Sequence, residues 1–241
     1  MIAGQKRACI AWRGTEVAER QILAAGGGKF CVGMARFLVE LTGKERPRAL
    51  YIGTAMAENP SSALMIYDHF GGHVELSRLE FFPWPPEDLR ATVLEQDLIF
   101  VGGGNTANML AVWRVHGVDE LLREAWDNGV VLSGSSAGGI CWFEQGVTDS
   151  FGPQLDQMDC LGFLEGSYCP HYDDEELRRP RHRELLKNGF MPGYAADSGV
   201  GLHFVDGELR EVVACEEGSK AYRVEIRDGE VVETPIDARV L

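Results

Sequence analysis

Residues 130 to 145 read Val-Val-Leu-Ser-Gly-Ser-Ser-Ala-Gly-Gly-Ile-Cys-Trp-Phe-Glu-Gln. A short apolar run passes through small residues into a pattern able to form a helix, which spells strand, sharp turn, helix. Inside the turn, Gly134-Ser135-Ser136-Ala137-Gly138 fits G-x-S-x-G, a bend whose flanking glycines permit a strained backbone that lifts the central serine hydroxyl clear of a sheet. A buried strand must precede such a bend and a helix must follow it, so the motif demands a sheet with helices packed on it. The competing reading is a Gly/Ser-rich turn that only packs a helix onto a sheet. On the first reading, Ser136 is the candidate nucleophile.

The flanking chain supplies such a sheet. Gln21 to Ala25 form a short apolar run into Gly26-Gly27-Gly28, and a helical pattern follows with Met34, Phe37, Leu38 and Leu41 on one face. Arg48 to Ile52 make a second strand, and Asn59-Pro60 open a helix that Gly71-Gly72 close. Residues 73 to 82 read as a third strand and about 87 to 95 as a helix. Asp97 to Val101 then form a strand ending in Gly102-Gly103-Gly104-Asn105, and helices at about 106 to 116 and 118 to 128 precede the elbow strand. Strands alternating with helices of this length predict a parallel sheet covered on both faces. The glycine-rich turns at 26, 102 and 134 should therefore share the carboxyl edge of that sheet, where ligands bind in such folds.

After Gln145 the pattern changes. An acidic start at Asp173 to Glu176 and a basic run at Arg178 to Arg183 suit the two ends of a helix, because the macrodipole favours that charge order. From Tyr194 onward, short β-branched runs are broken by Asp206-Gly207, Gly218 and Asp228-Gly229, and the Asp-Gly pairs are hairpin signals. The tail reads as an antiparallel β extension of the parallel sheet. Residues 1 to 18 lack a sustained period and are expected to be a weakly ordered extension, with a single α/β domain over 19 to 241.

Charge narrows the class of partner. With 37 acidic and 23 basic side chains the net charge is −14, which repels a phosphate backbone or an anionic membrane surface. Neither nucleic acid nor a membrane is an expected partner. No run of eighteen apolar residues exists for a membrane span, and the N-terminus lacks the apolar core of a secretion signal, so a soluble, cytoplasmic protein is expected. The six cysteines at 9, 31, 141, 160, 169 and 215 form no C-x-x-C pair and no zinc spacing. They read as free, buried, small hydrophobic side chains in a reducing compartment.

A serine nucleophile needs a base within hydrogen-bond reach and a group to orient that base. His69 and His73 flank a helix stop, His116 lies near a helix end, His182 is inside the arginine cluster and His203 is in a strand. His171 follows Pro170 in a loop before a helix, where a side chain can project into a strand-end cleft, and it is the candidate base. Asp197, ending a strand-like run before Ser198-Gly199, is the candidate orienting acid. Asp173 and Asp174, read as helix caps, and Asp149 are the alternatives. Backbone N–H groups of Ala137 and of Gly103 or Gly104 are placed to stabilise an oxyanion. The order of glycines at 102 to 104 does not fit a dinucleotide fingerprint.

Taken together, Val101-Gly102-Gly103-Gly104-Asn105-Thr106, Gly134-Ser135-Ser136-Ala137-Gly138 and Cys169-Pro170-His171-Tyr172 resemble the peptidase E family of serine peptidases, which is related to cyanophycinase, over about Gln21 to Val213. The resemblance implies a three-layer α/β/α sandwich like that of class I glutamine amidotransferases, and a Ser-His-acid triad without metal or organic cofactor. It makes Ser136 the nucleophile and His171 the base. The family's third member is a glutamate, but the matching segment here is Ala196-Asp197-Ser198-Gly199, so Asp197 takes that place. The family's preference for Asp-X dipeptides rests on an arginine, which corresponds to Arg178 or Arg179, and Asn105 and Asp149 complete the candidate substrate contacts. The expected partners are a small peptide substrate and, for assembly, a second copy of the chain as a homodimer. The rival readings keep the fold and triad with another peptide, isopeptide or ester substrate, or make the chain a catalytically impaired relative that binds a small ligand.

Overall fold

The computed structural model describes residues 18–241, so the expected extension at 1 to 18 falls almost wholly outside the described residues. The first half of the chain alternates strands and helices as its periodicity predicts. In order come β1 (Gln21–Ala25), α1 (Val32–Leu41), β2 (Arg48–Ile52), α2 (Pro60–Phe70), β3 (Glu75–Leu79), α3 (Leu89–Leu94), β4 (Leu98–Val101), α4 (Thr106–His116), α5 (Val118–Asp127) and β5 (Val131–Ser135). Local chemistry sets several ends. The Asn59 side chain accepts from Ser61 N–H with Pro60 in the first turn of α2, the Asn105 side chain accepts from Asn108 N–H at the start of α4, and Gly71 and Gly117 close these two helices in the left-handed conformation.

Strands β1, β5, β4, β2 and β3 lie side by side in that order, all parallel. Their side chains alternate between two cores. Leu23, Ala49, Tyr51, Leu98, Phe100 and Val131 join Met34, Phe37 and Leu38 of α1 and Ile66 and Phe70 of α2. Ile22, Ala24, Leu50, Ile52, Ile99, Val101 and Leu132 join Val93 of α3, Met109 and Trp113 of α4, and Leu122 and Trp126 of α5. That division by odd and even positions is the period of two made physical, and it produces the helix, sheet and helix layers.

The second half builds more sheet than its sequence announced. Its elements are α6 (Ala137–Ile140), β6 (Phe143–Thr148), β7 (Asp156–Asp159), β8 (Leu164–Cys169), α7 (Arg178–Lys187), β9 (Gly193–Ala196), β10 (Val200–Val205), β11 (Glu208–Ala214), β12 (Lys220–Arg227), β13 (Glu230–Asp237) and β14 (Arg239–Val240). The Asp-Gly turns connect β10 to β11 and β12 to β13, as the hairpin signals predict. Strands β10 and β11 extend the large sheet antiparallel beyond β1, whereas β12 and β13 join a separate sheet of order β13-β12-β9-β8-β6-β7. Phe143 of β6 and Tyr194 of β9 meet Phe204 of the large sheet edge-on. On the other side of the smaller sheet, Val147, Cys169, Ala195 and Val224 pack with Leu185 and Leu186 of α7.

Three expectations are corrected. The helix after the elbow is four residues long, not a run to Gln145, because the carbonyls of Cys141, Trp142, Phe143 and Glu144 accept from the N–H groups of residues 160 to 164 instead of from a helix of their own. Helix α7 begins at Arg178, so the arginine run opens it rather than closing it. The carboxylates ahead of it are engaged elsewhere, Asp173 and Asp174 by Ser198 and Glu175 by Arg178. Cys31 and Cys215 are joined in a disulfide with their Cα atoms 5.8 Å apart, across 184 positions of sequence. Cys141, Cys160 and Cys169 are free, and burial pushes the Cys160 thiol up to about 12.

His182 on α7 is fully buried, edge-on to Tyr172 and Phe190, and neither ring nitrogen has a hydrogen-bond partner among the described residues. Burial pushes its pKa from 6.5 down to about 4. The unfolded chain takes up this proton first as the pH falls, so the contribution to stability is whole above pH 6.5 and is lost as the pH drops toward 4, by about 3 kcal/mol in all. Urea unfolding of the parent and of His182→Leu across that range checks this. The parent should lose stability more steeply than the variant, and parallel curves would refute the assignment.

Candidate active site

The register of the parallel strands places the site. Ala25 is paired with Ser135 and Val101 with Gly134, so β1, β5 and β4 end level with one another. The turns that begin at Gly26, Ser136 and Gly102 therefore leave the sheet side by side, on the shared carboxyl edge.

Ser136 has φ +55° and ψ −113°, a conformation costly for any residue with a side chain, of order 1–3 kcal/mol. Neighbouring backbone holds it there. Its N–H donates to Ala25 O at 3.0 Å, and its carbonyl accepts from Gly139 and Ile140 N–H, both at 2.8 Å. The two motif glycines are needed for close approach, since a Cβ on Gly134 would overlap the Gly138 carbonyl and one on Gly138 would overlap the Val101 carbonyl.

His171 arrives from the end of β8. Its N–H donates to Gly26 O at 2.8 Å, its φ is +54°, and its imidazole lies over Gly27, where any Cβ would overlap the ring. Nε2 sits 2.9 Å from Ser136 Oγ. On the other side of the ring, Nδ1 faces Asp174 Oδ1 at 3.4 Å and Glu175 Oε1 at 3.9 Å. Asp174 is itself fixed, because its Oδ2 accepts from Ser198 Oγ at 2.6 Å while Asp173 Oδ1 accepts from Ser198 N–H at 2.7 Å.

Asp197 is not brought to the imidazole. Its backbone N–H donates to Lys220 O, continuing the β9–β12 ladder, and its Oδ2 accepts the Lys220 N–H at 2.9 Å. Burial pushes this carboxyl above its ordinary range. The neighbouring Ser198 is what touches the site, through Asp174. The charge order of residues 173 to 183 predicts a helix starting at Asp173, which would make Asp174 a helix cap. The later start at Arg178 leaves 173 to 176 in the turn that follows the histidine.

Of the candidate substrate contacts, Arg178, Asn105 and Asp149 line a cleft of about 280 Å³ together with Ser136, His171, Glu175 and Gly104. Arg178 is 3% exposed; its Nε and Nη2 donate to Glu175 and its Nη1 to Val147 O at 3.1 Å. The Asn105 side chain donates to Ser150 O at 3.0 Å besides capping α4. Arg179 lies elsewhere, paired with Glu233 of β13 over the rings of Tyr172 and Tyr222. Burial works against ionised Glu233, but hydrogen bonds from Arg179, Arg183 and Tyr172 prevail and hold its carboxyl below the usual range. Arg179 therefore clamps α7 to the small sheet and is not a cleft residue.

Of the expected oxyanion donors, Gly103 and Ala137 adjoin the serine and Gly104 lines the same cleft. A Cβ on Gly103 would stand 3.3 Å from Ser136 Cβ, and no backbone acceptor among the described residues takes the N–H of Gly103 or Gly104. Ala137 opens α6, where an N–H has no partner within its own helix. A hydroxyl beside an imidazole, with free N–H groups around it, can perform acyl transfer. Donor atoms of His171, Asp174 and Glu175 also lie within 4.8 Å of one another, near enough to share a cation; those are the same atoms that surround the imidazole.

A sequence model described as Peptidase family S51 matches residues 22–212. The chain is 44% identical over 229 residues to the uncharacterized peptidase YgaJ of Bacillus subtilis, a match covering 92% of this chain and 99% of that protein. Its fold is similar to the crystal structure of a peptidase from an acI-B1 actinobacterium, with a TM-score of 0.67 at 17% identity over 92% of this chain and 96% of that one. It is also similar to a putative peptidase E protein from Listeria monocytogenes, with a TM-score of 0.59 at 17% identity over 91% and 100% of the two chains.

Because the imidazole rests on Gly27, Gly27→Ala should push His171 away from Ser136. Labelling of Ser136 by a fluorophosphonate is expected to slow by about 100-fold or more, in line with removal of a general base. Gly43→Ala, at another positive φ but with open space around it, controls for backbone strain and should label at the parent rate. Equal labelling of Gly27→Ala and parent would show that this contact does not position the base.

Proposed function

The chain belongs to peptidase family S51 and is a serine-type peptidase, and from that premise we propose that it hydrolyses short peptides with Ser136 as nucleophile and His171 as general base. The observation that carries the reading is the 2.9 Å separation of Ser136 Oγ and His171 Nε2 on the carboxyl edge of the sheet. Oγ attacks the scissile carbonyl carbon while Nε2 takes its proton and then gives it to the leaving amine. The negative charge that develops on the carbonyl oxygen is met by the N–H of Ala137 and of Gly103 or Gly104. Water then attacks the acyl-enzyme by the same proton route in reverse and frees the acid product.

The orienting acid in this proposal is Asp174 instead of Asp197. Its carboxylate is the nearest one to Nδ1, and the Ser198 hydroxyl holds it in place. Such a group fixes the tautomer that leaves Nε2 free to accept. For the Asp-X preference implied by the resemblance, Arg178 in the cleft is the supporting residue. Its guanidinium is already engaged by Glu175, so an aspartyl substrate would have to displace that carboxylate to gain a bidentate pair. Short peptides, without a required aspartate, are therefore the substrate class we assign. A cytoplasmic setting is part of the same proposal and is supported by Cys141, Cys160 and Cys169 remaining as free thiols. The Cys31–Cys215 disulfide is the feature that argues for a more oxidising place. No helix among the described residues is long and apolar enough to cross a membrane.

Ser136→Ala should abolish peptide hydrolysis. Asp174→Asn should lower kcat by about two to four orders of magnitude, as loss of an orienting acid does elsewhere, while Asp197→Asn should stay within about threefold of the parent. Steady-state kinetics on a dipeptide panel decides, and the reverse ranking of the two aspartates would return the acid role to Asp197.

A further inference from the structure

The cleft holding Ser136 and His171 adjoins a larger cavity. Asp149 and Glu175 line both, and the second cavity has a volume of about 730 Å³, ample for a substrate side chain. Part of its wall is apolar, formed by Pro153, Leu155, Leu177 and Pro180. Leu177, at the N-cap of α7, is 71% exposed and open to this cavity.

The rest of the wall is acidic. Glu176 and Glu184 join Asp149 and Glu175, with Arg181 as the cation facing them. Arg181 is already engaged, because its Nε donates to Leu155 O at 2.9 Å and its other nitrogens pair with Glu184 at 2.8 Å and Asp156 at 3.5 Å. Arg178, the cation of the adjoining cleft, is held by Glu175. Four carboxylates thus face two guanidinium groups across cleft and cavity. The surplus is negative, against what an aspartyl substrate needs.

We propose that this cavity is a specificity subsite that seats a basic side chain, lysine or arginine, of the peptide whose bond lies at Ser136; the proposal rests on the peptidase reading above. Such a side chain matches the wall in both its parts. Its aliphatic stem covers Pro153, Leu155, Leu177 and Pro180, while its charged end is met by the surplus carboxylates. A glutamyl or aspartyl side chain would meet like charge there, and a neutral aliphatic one would satisfy only the apolar portion.

Matched peptides that differ at one position, carrying Lys, Arg, norleucine or Glu, with free and with acetylated N-termini, test this. Hydrolysis of Lys and Arg peptides should exceed that of the norleucine peptide by about tenfold or more in kcat/KM, with Glu the poorest. The preference should persist after acetylation and shrink as salt is raised from about 50 mM to about 500 mM. In Glu176→Gln and Asp149→Asn, which remove the wall carboxylates unpaired among the described residues, the ratio of Lys to norleucine should fall by about threefold or more. A ratio near one, or a preference for Glu, overturns the subsite. A preference lost on acetylation transfers the charge to the α-ammonium and overturns the side-chain seat. Should no peptide be cleaved and Ser136 resist a fluorophosphonate, the peptidase reading fails. Calorimetry of the Lys and norleucine peptides on Ser136→Ala then judges the cavity alone: tighter binding of the Lys peptide supports it, and equal affinity overturns it.

Discussion

The hydrogen bond from Ser136 N–H to the Ala25 carbonyl ties a strained turn to the end of a neighbouring strand, and much else in the molecule exists to make that contact available. It requires β1 to lie beside β5 in parallel with their ends level, and the Gly138–Val101 approach requires β4 to end level on the other side. Parallel neighbours cannot be joined by tight turns, so helical crossovers must carry the chain back between strands. Helices α1 to α5 do this, and in doing so they supply both outer layers. The strain at Ser136 is tolerated because backbone on three sides leaves the turn little freedom to relax.

The serine and its histidine come from different sheets. The large sheet carries Ser136, whereas His171 hangs from β8 of the smaller one, and the hydrogen bond from His171 N–H to Gly26 O crosses the seam between them. Ser198, between β9 and β10, sits where the chain passes from one sheet to the other and holds Asp174 from there. A device that needs a 2.9 Å contact is therefore assembled from two packed bodies. Aromatic packing of Phe143, Tyr194 and Phe204 between the sheets accordingly helps to hold the Ser136–His171 contact as well as the fold.

The parallel half was legible in the sequence because its signals are local. Short continuous apolar runs in Gln21–Ala25 and Leu98–Val101, the Asn59-Pro60 and Asn105 caps and the glycine stops each act within a few residues. Ser136 announced itself through glycines that close approach demands, and His171 through its place after a proline in a strand-end loop. Where long-range contacts decide, the reading diverged. The carbonyls of 141 to 144 are claimed by residues 160 to 164, which no local pattern foretells. Asp197 and Asp174 look alike as loop aspartates, and only the ladder to Lys220 and the start of α7 at Arg178 separate them. Arg178 and Arg179 are adjacent in sequence, yet one points into the cleft and the other to Glu233, as neighbours on a helix must diverge by about 100°.

The Cys31–Cys215 bond has a topological effect apart from any local one. It closes most of the polypeptide into a covalent ring, and Ser136, His171, Asp174 and Arg178 are all inside it. A cut in an exposed loop such as those carrying Trp84 or Phe151 leaves both new ends attached to the same molecule. While oxidised, the chain can be nicked within that ring and still hold together as one piece, whereas in the reduced form the same nick leaves two fragments joined only by their packing.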